Sequence, residues 1–343
     1  MPDIAISAPL SGRAAEPSGS DIQSIYAPIR TDLERLEAEI GRLSESSPPF
    51  IKAATSHLLR NSGKRLRPAL VILSSRMAGY RGKAHVLLSA LVEIIHTASL
   101  IHDDLIDNAA LRRGEATSHL RWGPPISVLL GDYLYIEALR LSLEFEDKRI
   151  SKSLTQATAR MIEGVLLEYE ISHEPATSEE NYLDIISQKT GALFAAGCSI
   201  GGILAGQPPD RIEELSRFGA RFGIAFQMID DLLDFVGDAK ALGKPVLLDL
   251  GEGRVTLPLI TALRRAEPAQ RERLASLIQS RTYSPAVQAE ILAFVTSDGI
   301  LDETRRKAAE WMKESLPFLD RFPNSVYKES LRSLAAFILD RTS

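Results

Sequence analysis

From Ala84 to Asp107 the chain runs 24 residues without a glycine or a proline, AHVLLSALVEIIHTASLIHDDLID. A run so apolar, with few polar interruptions, reads as a long helix buried on most sides by other helices. Ser178–Gly206 and the segment from Asp210 that carries Ile212, Leu215, Phe218, Phe222 and Phe226 repeat the helical spacing. No stretch alternates strictly, and no Asn-Gly or Asp-Gly hairpin signal occurs. The expected class is therefore all-α. Length alone, 343 residues, suggests about two domains. The Pro/Gly punctuation at Ser47–Pro49, Gly123–Pro125, Gly206–Pro209 and Pro323 is too short for a linker. Residues 23–343 are thus expected to form a single all-α domain. Residues 1–22, rich in Ser, Pro, Ala and Gly, lack the basic and apolar regions of a targeting segment and read as a flexible tail.

Composition removes several classes of function. The single cysteine, Cys198, excludes a disulfide framework and a cysteine-rich zinc site. A net charge of −5 offers no global basic field, so no nucleic-acid partner is expected. The stretch Thr190–Gln207, uncharged and closed by Pro208 and Pro209, is Gly-rich and short for a membrane span, which favours a buried core helix and no transmembrane segment.

Asp103-Asp104-Leu105-Ile106-Asp107 and Asp230-Asp231-Leu232-Leu233-Asp234 are both DDxxD, 127 residues apart. On a helix, positions i and i+4 share a face, so Asp103 projects with Asp107 and Asp230 with Asp234. Like charges at that spacing destabilise an isolated helix. They are tolerated when a cation sits between them, and all-oxygen clusters of this kind suit Mg²⁺ held together with substrate phosphates. No His/Cys set has zinc-ligand spacing. The metal ligands read from this pattern are Asp103, Asp107, Asp230 and Asp234. His102, one residue from Asp103, does not share its face.

Cations stand beside these clusters. Gly63-Lys64-Arg65-Leu66-Arg67-Pro68 concentrates three of them. Leu111-Arg112-Arg113-Gly114 follows the first acidic cluster, Lys189-Thr190 opens the apolar segment, and Lys244 and Arg254 lie in the long Gly-rich connection Gly237–Arg254. Arg forks match phosphate oxygens, and Lys acts as a point charge. The implied chemistry is one diphosphate bridged by Mg²⁺ to carboxylates and a second anion held by Lys and Arg.

At these residues the sequence resembles the trans-polyprenyl diphosphate synthases. GKRLRP, HTASLIHDDLID, LRRGEATSH, GDYL, KTGALF, FQMIDDLLD and GKPVLLDLGEGRVTLPLI occur in family order, across residues 25–343. The resemblance implies an all-α, isoprenoid synthase-type bundle around a deep cavity, an expected homodimer, and a cytoplasmic prenyltransferase. It implies that Asp103, Asp104 and Asp107 face Asp230, Asp231 and Asp234 around three Mg²⁺ ions with bound diphosphate. Arg112, with Lys189 and Lys244, is then expected on an allylic diphosphate primer. Lys64, Arg67, His96 and Arg113 are expected on isopentenyl diphosphate, and Thr190 and Gln227 beside the reacting carbons. The Gly237–Arg254 connection is the expected lid.

Ala98 and Ser99, small residues below Asp103, are expected to leave the product tunnel open. The expected product is therefore longer than C20, in the C30–C50 range. A short-chain C15–C20 synthase and a non-catalytic subunit of a heteromeric synthase stay open as alternatives. A terpene cyclase fits less well, because the second DDxxD and GKRLRP are retained. A membrane-embedded aromatic prenyltransferase fits less well, because spans of ~20 residues are lacking. The chain departs from the family pattern at Glu163-Gly164-Val165-Leu166-Leu167-Glu168, where a Gln is usual at the last position, and at Leu247, Leu248 and Arg254.

Overall fold

The computed structural model describes residues 21–45, 49–60, 63–236 and 247–341. The described chain is almost wholly helical, as expected. The N-terminal layer is α1 (Ile22–Tyr26), α2 (Arg30–Glu45), α3 (Pro49–Arg60) and α4 (Leu66–Met77). The central helices are α5 (Ala84–Ile106), α6 (Ser118–Trp122), α7 (Pro124–Ser142), α8 (Lys148–Glu170), α9 (Glu179–Ile186), α10 (Ala192–Leu204) and α11 (Pro209–Val236). After the short α12 (Leu248–Gly251) come α13 (Leu257–Arg265), α14 (Pro268–Gln279), α15 (Pro285–Thr296), α16 (Ile300–Ser315) and α17 (Val326–Leu339). Of the tail expected over residues 1–22, residues 1–20 lie outside the described residues. Asp21 caps α1 by accepting the Gln23 N–H, so the helical domain begins at the edge of that segment.

One local expectation fails. A small antiparallel hairpin, β1 (Leu111–Arg112) with β2 (Glu115–Ala116), follows α5. Its two central residues, Arg113 and Gly114, have φ of 53° and 83°. Type I′ turns require positive φ at both central positions, and Arg-Gly here replaces the usual Asn-Gly.

The fold is organised by α10, the helix of the uncharged stretch. It packs on α4, α8 and α11, and Phe194, Cys198 and Ile200 are fully buried or nearly so. Glycines set its distances. A Cβ on Gly219 of α11 would lie 2.4 Å from the Phe194 carbonyl oxygen, and one on Gly201 2.6 Å from the Ser75 nitrogen on α4. Phe194 then meets Phe222 and Phe226 with ring centroids 5.5 and 5.7 Å apart. The long run from Ala84 becomes α5, which packs antiparallel to α7 and against α2 and α4. By length and composition α5 could cross a membrane, but 72% of its most apolar window is buried inside the fold, so no clear transmembrane span results.

Candidate active site

The C-terminal half of α5 and that of α11 end on opposite sides of one cavity of about 970 Å³. The N-terminus of α4, the hairpin, α8, the segment after α9 and the chain around α12 complete its wall. Every site residue expected from the sequence lines this cavity except Ala98 and Lys244. Lys244 and most of the expected lid lie outside the described residues. Ala98 is 0% exposed, turned into the core shared by α5, α7 and α8, while its neighbour Ser99 is on the cavity wall. Of the two expected chain-length residues, Ser99 alone borders this cavity. A helix turns 100° per residue, which carries Ala98 to the core side of α5. Tyr135 of α7, hydrogen-bonded to Ser99, also lines the cavity, and sequence reading did not single it out.

On α5, Asp103 and Asp107 face the cavity, and burial raises both pKa values above the usual carboxylate range. Asp104 instead accepts two bonds from Arg112, from Nε at 2.7 Å and Nη2 at 2.6 Å. Its effect on the site is to aim Arg112. On α11 the three aspartates differ in the same way. Asp230 pairs with Arg341 at 2.6 Å. Asp231 accepts from the Tyr182 hydroxyl at 2.6 Å and from Gln227 Nε2 at 2.8 Å, so both of its oxygens are engaged within the protein. Asp234 accepts the backbone N–H groups of Leu248 and Asp249 at 3.1 and 3.2 Å. Burial and the neighbouring Asp249 still push its pKa up to about 7.

Among the described residues no three His, Cys, Asp or Glu side chains converge on one point. The carboxylates face each other across space instead. That suits Mg²⁺, which takes one or two carboxylates and fills its remaining positions with water and phosphate oxygens. The donor set is all oxygen, and burial raises the pKa values of Asp103, Asp107, Asp230 and Asp234, a desolvation that a bound cation would offset.

The cations divide into two groups. Arg67 Nη1 lies 3.1 Å from His96 Nε2, and its guanidinium stacks 4.5 Å over Phe194. Burial pulls its pKa down to about 10, which leaves it charged at neutral pH. Among the described residues Arg67 Nε is buried without a hydrogen-bond partner, as a donor awaiting an anion would be. Burial, then Arg67, Arg112 and Arg113, hold His96 well below its ordinary pKa, so the imidazole is neutral at pH 7. Lys64 and Arg113 border the same corner. The third cation of GKRLRP turns away: Arg65 forks onto Glu37 at 2.7 and 2.8 Å and reaches buried Glu93 at 3.0 Å.

The second group surrounds the acidic clusters. Lys189 and Thr190 sit on a π-helical turn, Ser187–Gly191, of the kind often found at functional sites. Gly164 of α8 permits that turn: a Cβ there would lie 2.6 Å from the Lys189 nitrogen. One turn further along α8, Glu168 forms an ion pair with Lys189. Burial lowers the Lys189 pKa, but Glu168 and then Asp103 outweigh it and raise the value above ordinary. Thr190 Oγ1 donates to Gln227 Oε1 at 2.8 Å. Arg254 lies between the acidic motifs, 3.3 Å from Asp107 and 2.7 Å from Asp249, and also pairs with Glu252.

Two aspartate-bearing helix ends that face each other across a cation-lined cavity, inside an all-α bundle, define the isoprenoid synthase architecture. The chain belongs to the polyprenyl synthetase family, whose family model matches residues 48–295, and it is a prenyltransferase. It is 36% identical over 320 residues to the all-trans-nonaprenyl-diphosphate synthase (geranyl-diphosphate specific) of Rhodobacter capsulatus, covering 93% of this chain and 98% of that protein. It is 34% identical to the octaprenyl diphosphate synthase of Escherichia coli K12, covering 94% and 99%. Among solved structures, a polyprenyl synthase from Caulobacter crescentus CB15 complexed with calcium and isoprenyl diphosphate superposes with a TM-score of 0.90 at 35% identity. That match covers 96% of this chain and 100% of the other.

Proposed function

We propose that this trans-polyprenyl diphosphate synthase is Mg²⁺-dependent and condenses an allylic diphosphate with successive isopentenyl diphosphate units. The product is all-trans and longer than C20, in the C30–C50 range, and residues 23–343 act as one domain in a cytoplasmic homodimer. The observation that carries this reading is the division of one cavity into a carboxylate side and a separate cation corner with an Arg67 Nε unpartnered among the described residues.

Asp103, Asp107, Asp230 and Asp234 are the residues that would hold three Mg²⁺ ions. When bound, the metal supplies neutralisation of the leaving diphosphate. Arg112, aimed by Asp104, and Lys189, aimed by Glu168, bind the allylic diphosphate oxygens. Lys64, Arg67, His96 and Arg113 hold the diphosphate of isopentenyl diphosphate. Thr190 and Gln227, fixed to each other, border the carbons that react. The allylic C–O bond breaks, a C–C bond forms to the isopentenyl alkene, and a proton leaves to the released diphosphate. Fixing both reactants at close range lowers the barrier, and the buried wall keeps water from the cation.

The names of the nonaprenyl and octaprenyl relatives support a long product. A homodimer is supported by apolar side chains exposed on α7, Leu129 and Ile136, and at Leu143 just after it.

The test is incubation with Mg²⁺, isopentenyl diphosphate and a series of allylic primers, with product length read by mass spectrometry. Wild type is expected to give C30–C50 products. Asp103→Ala and Asp230→Ala are expected to abolish turnover while keeping helical circular dichroism. Full activity in excess chelator, or near-wild-type turnover in both variants, would sink the reading.

A further inference from the structure

Besides its own bonds to Asp249, Glu252 and Asp107, Arg254 is bordered by a backbone contact made one residue earlier. The His173 N–H, in the turn between α8 and α9, donates to the Gly253 carbonyl at 2.8 Å. The approach is as close as a backbone allows. A Cβ on Gly253 would overlap Ser172 Oγ and lie 3.0 Å from His173 Nε2. Gly253 also has a φ of +91°, a region that L side chains rarely adopt. His173 itself is left-handed, with φ of 58°.

On its other side the His173 ring stacks on Tyr283, with centroids 6.3 Å apart and planes 19° from parallel. His173 Nδ1 and the Tyr283 hydroxyl lie 3.1 Å apart, and that hydroxyl donates to the Ile278 carbonyl at the end of α14 at 2.9 Å. A continuous chain of contacts thus runs from α14 through Tyr283, His173 and Gly253 to a guanidinium that reaches Asp107 of the first acidic motif. Neither His173 nor Tyr283 lines the cavity.

We propose that His173 and Tyr283 form a clasp that positions Arg254 at the junction of the two acidic motifs, so that contacts with the α14–α15 loop set the affinity of the allylic diphosphate side of the site. His173 and Tyr283 are positioning residues: they touch no substrate and act through the backbone of Gly253. The corner of Lys64, Arg67 and His96 makes no part of this chain of contacts, so the clasp discriminates between the two diphosphates.

This inference rests on the functional reading above, and its test separates the two. Three variants are compared with wild type: His173→Ala, His173→Asn and Tyr283→Phe. Asn tolerates the left-handed backbone and keeps a polar side chain toward Tyr283, so it is the conservative rescue. His173→Ala is expected to raise the KM for the allylic diphosphate at least tenfold, with the KM for isopentenyl diphosphate within twofold of wild type. Tyr283→Phe is expected to fall between, and His173→Asn to stay within threefold of wild type.

Calorimetric binding of inorganic pyrophosphate with Mg²⁺ is measured on the same proteins, and His173→Ala is expected to weaken it at least fivefold. Thermal melts accompany each protein, and the same KM split in a variant that melts with wild type supports the clasp. Unchanged allylic KM in both His173→Ala and Tyr283→Phe, or an equal rise in both KM values, overturns it. If wild type fails to condense the two diphosphates, the functional reading fails, and the pyrophosphate measurement still decides whether the clasp acts on the site.

Discussion

Gly164 and Gly41 are both helical glycines, and the same substitution in each should have opposite consequences. Gly41 is exposed on α2, and a Cβ there meets nothing within 4 Å. Gly41→Ala should gain the helical preference of alanine over glycine, about 1 kcal/mol. At Gly164 the same gain applies, but the new methyl would sit 2.6 Å from the Lys189 nitrogen and 3.1 Å from its Cα. Backbone cannot rotate out of the way as a side-chain tip can, so the cost belongs at the upper part of the ~1–3 kcal/mol range for overpacking. The net expectation for Gly164→Ala is a loss of about 1–2 kcal/mol, leaving the two variants roughly 2–3 kcal/mol apart.

The functional loss should be larger than the loss of stability implies. The turn forced to move carries Lys189, whose ammonium is held by Glu168 one turn along the helix that bears the methyl. Displacement of such a group by about 1 Å can cost on the order of 10²-fold in rate. Urea unfolding followed by circular dichroism gives the stabilities, and steady-state kinetics at saturating isopentenyl diphosphate gives kcat/KM for the primer. If Gly164→Ala is as stable and as active as Gly41→Ala, the close packing of α8 on the π turn does not position Lys189.

Arg67→Ala should raise the KM for isopentenyl diphosphate more than that for the primer, and Arg112→Ala the reverse, each by an amount equivalent to about 2–5 kcal/mol; identical patterns would dissolve the division into two anion sites. Ser99→Phe should shorten the product, since Ser99 is on the cavity wall, whereas Ala98→Phe should chiefly lower stability by about 1–3 kcal/mol through overpacking; product analysis with thermal melts tells them apart, and shortening by Ala98→Phe alone would place the tunnel elsewhere. Asp234 has a folded pKa raised to about 7, by burial first and then Asp249, so its contribution to ligand-free stability is fully present below its unfolded value and is lost as pH rises through about 7. Asp234→Asn should accordingly be more stable than wild type at pH 8 by an amount on the order of 1–3 kcal/mol, with the advantage vanishing near pH 4; urea midpoints across that range would refute this by showing a pH-independent difference.

The parts of the site that were legible in the sequence are those in which spacing along one helix determines direction. Asp103 with Asp107, and Asp230 with Asp234, needed only the helical period. The roles of Asp104 and Asp231 were not legible, because each is decided by a partner distant in sequence, Arg112 on a hairpin and Tyr182 on α9. Arg65 looks like its neighbours Lys64 and Arg67 in composition. Its left-handed backbone, φ 50°, turns it to Glu37 and Glu93 instead. The hairpin was missed because Arg-Gly is an unusual occupant of its turn. Arg341 gave no signal, since an arginine near a chain end has no spacing relation to an aspartate 111 residues earlier. In the fold, the glycines that weaken α10 as an isolated helix are what let it pack on its neighbours, so local propensity and tertiary demand pull in opposite directions there.

The crossing of α10 and α11 has a mechanical consequence. Where Gly219 and Gly223 meet Phe194, and Gly223 meets Gly191, the contact is largely backbone on backbone and backbone on ring. Such a contact has few alternative rotamers with which to absorb displacement, so the two helices cannot slide past each other by small side-chain adjustments. The second acidic cluster therefore rides on a stiff beam anchored in the core. The first acidic cluster instead stands at the end of α5, tied across to the Arg254 segment by the Asp107–Arg254 ion pair. Amide exchange should record this stiffness, with the slowest exchange at the midpoints of α10 and α11. Of the two carboxylate clusters, the second is thus the fixed jaw of the cavity.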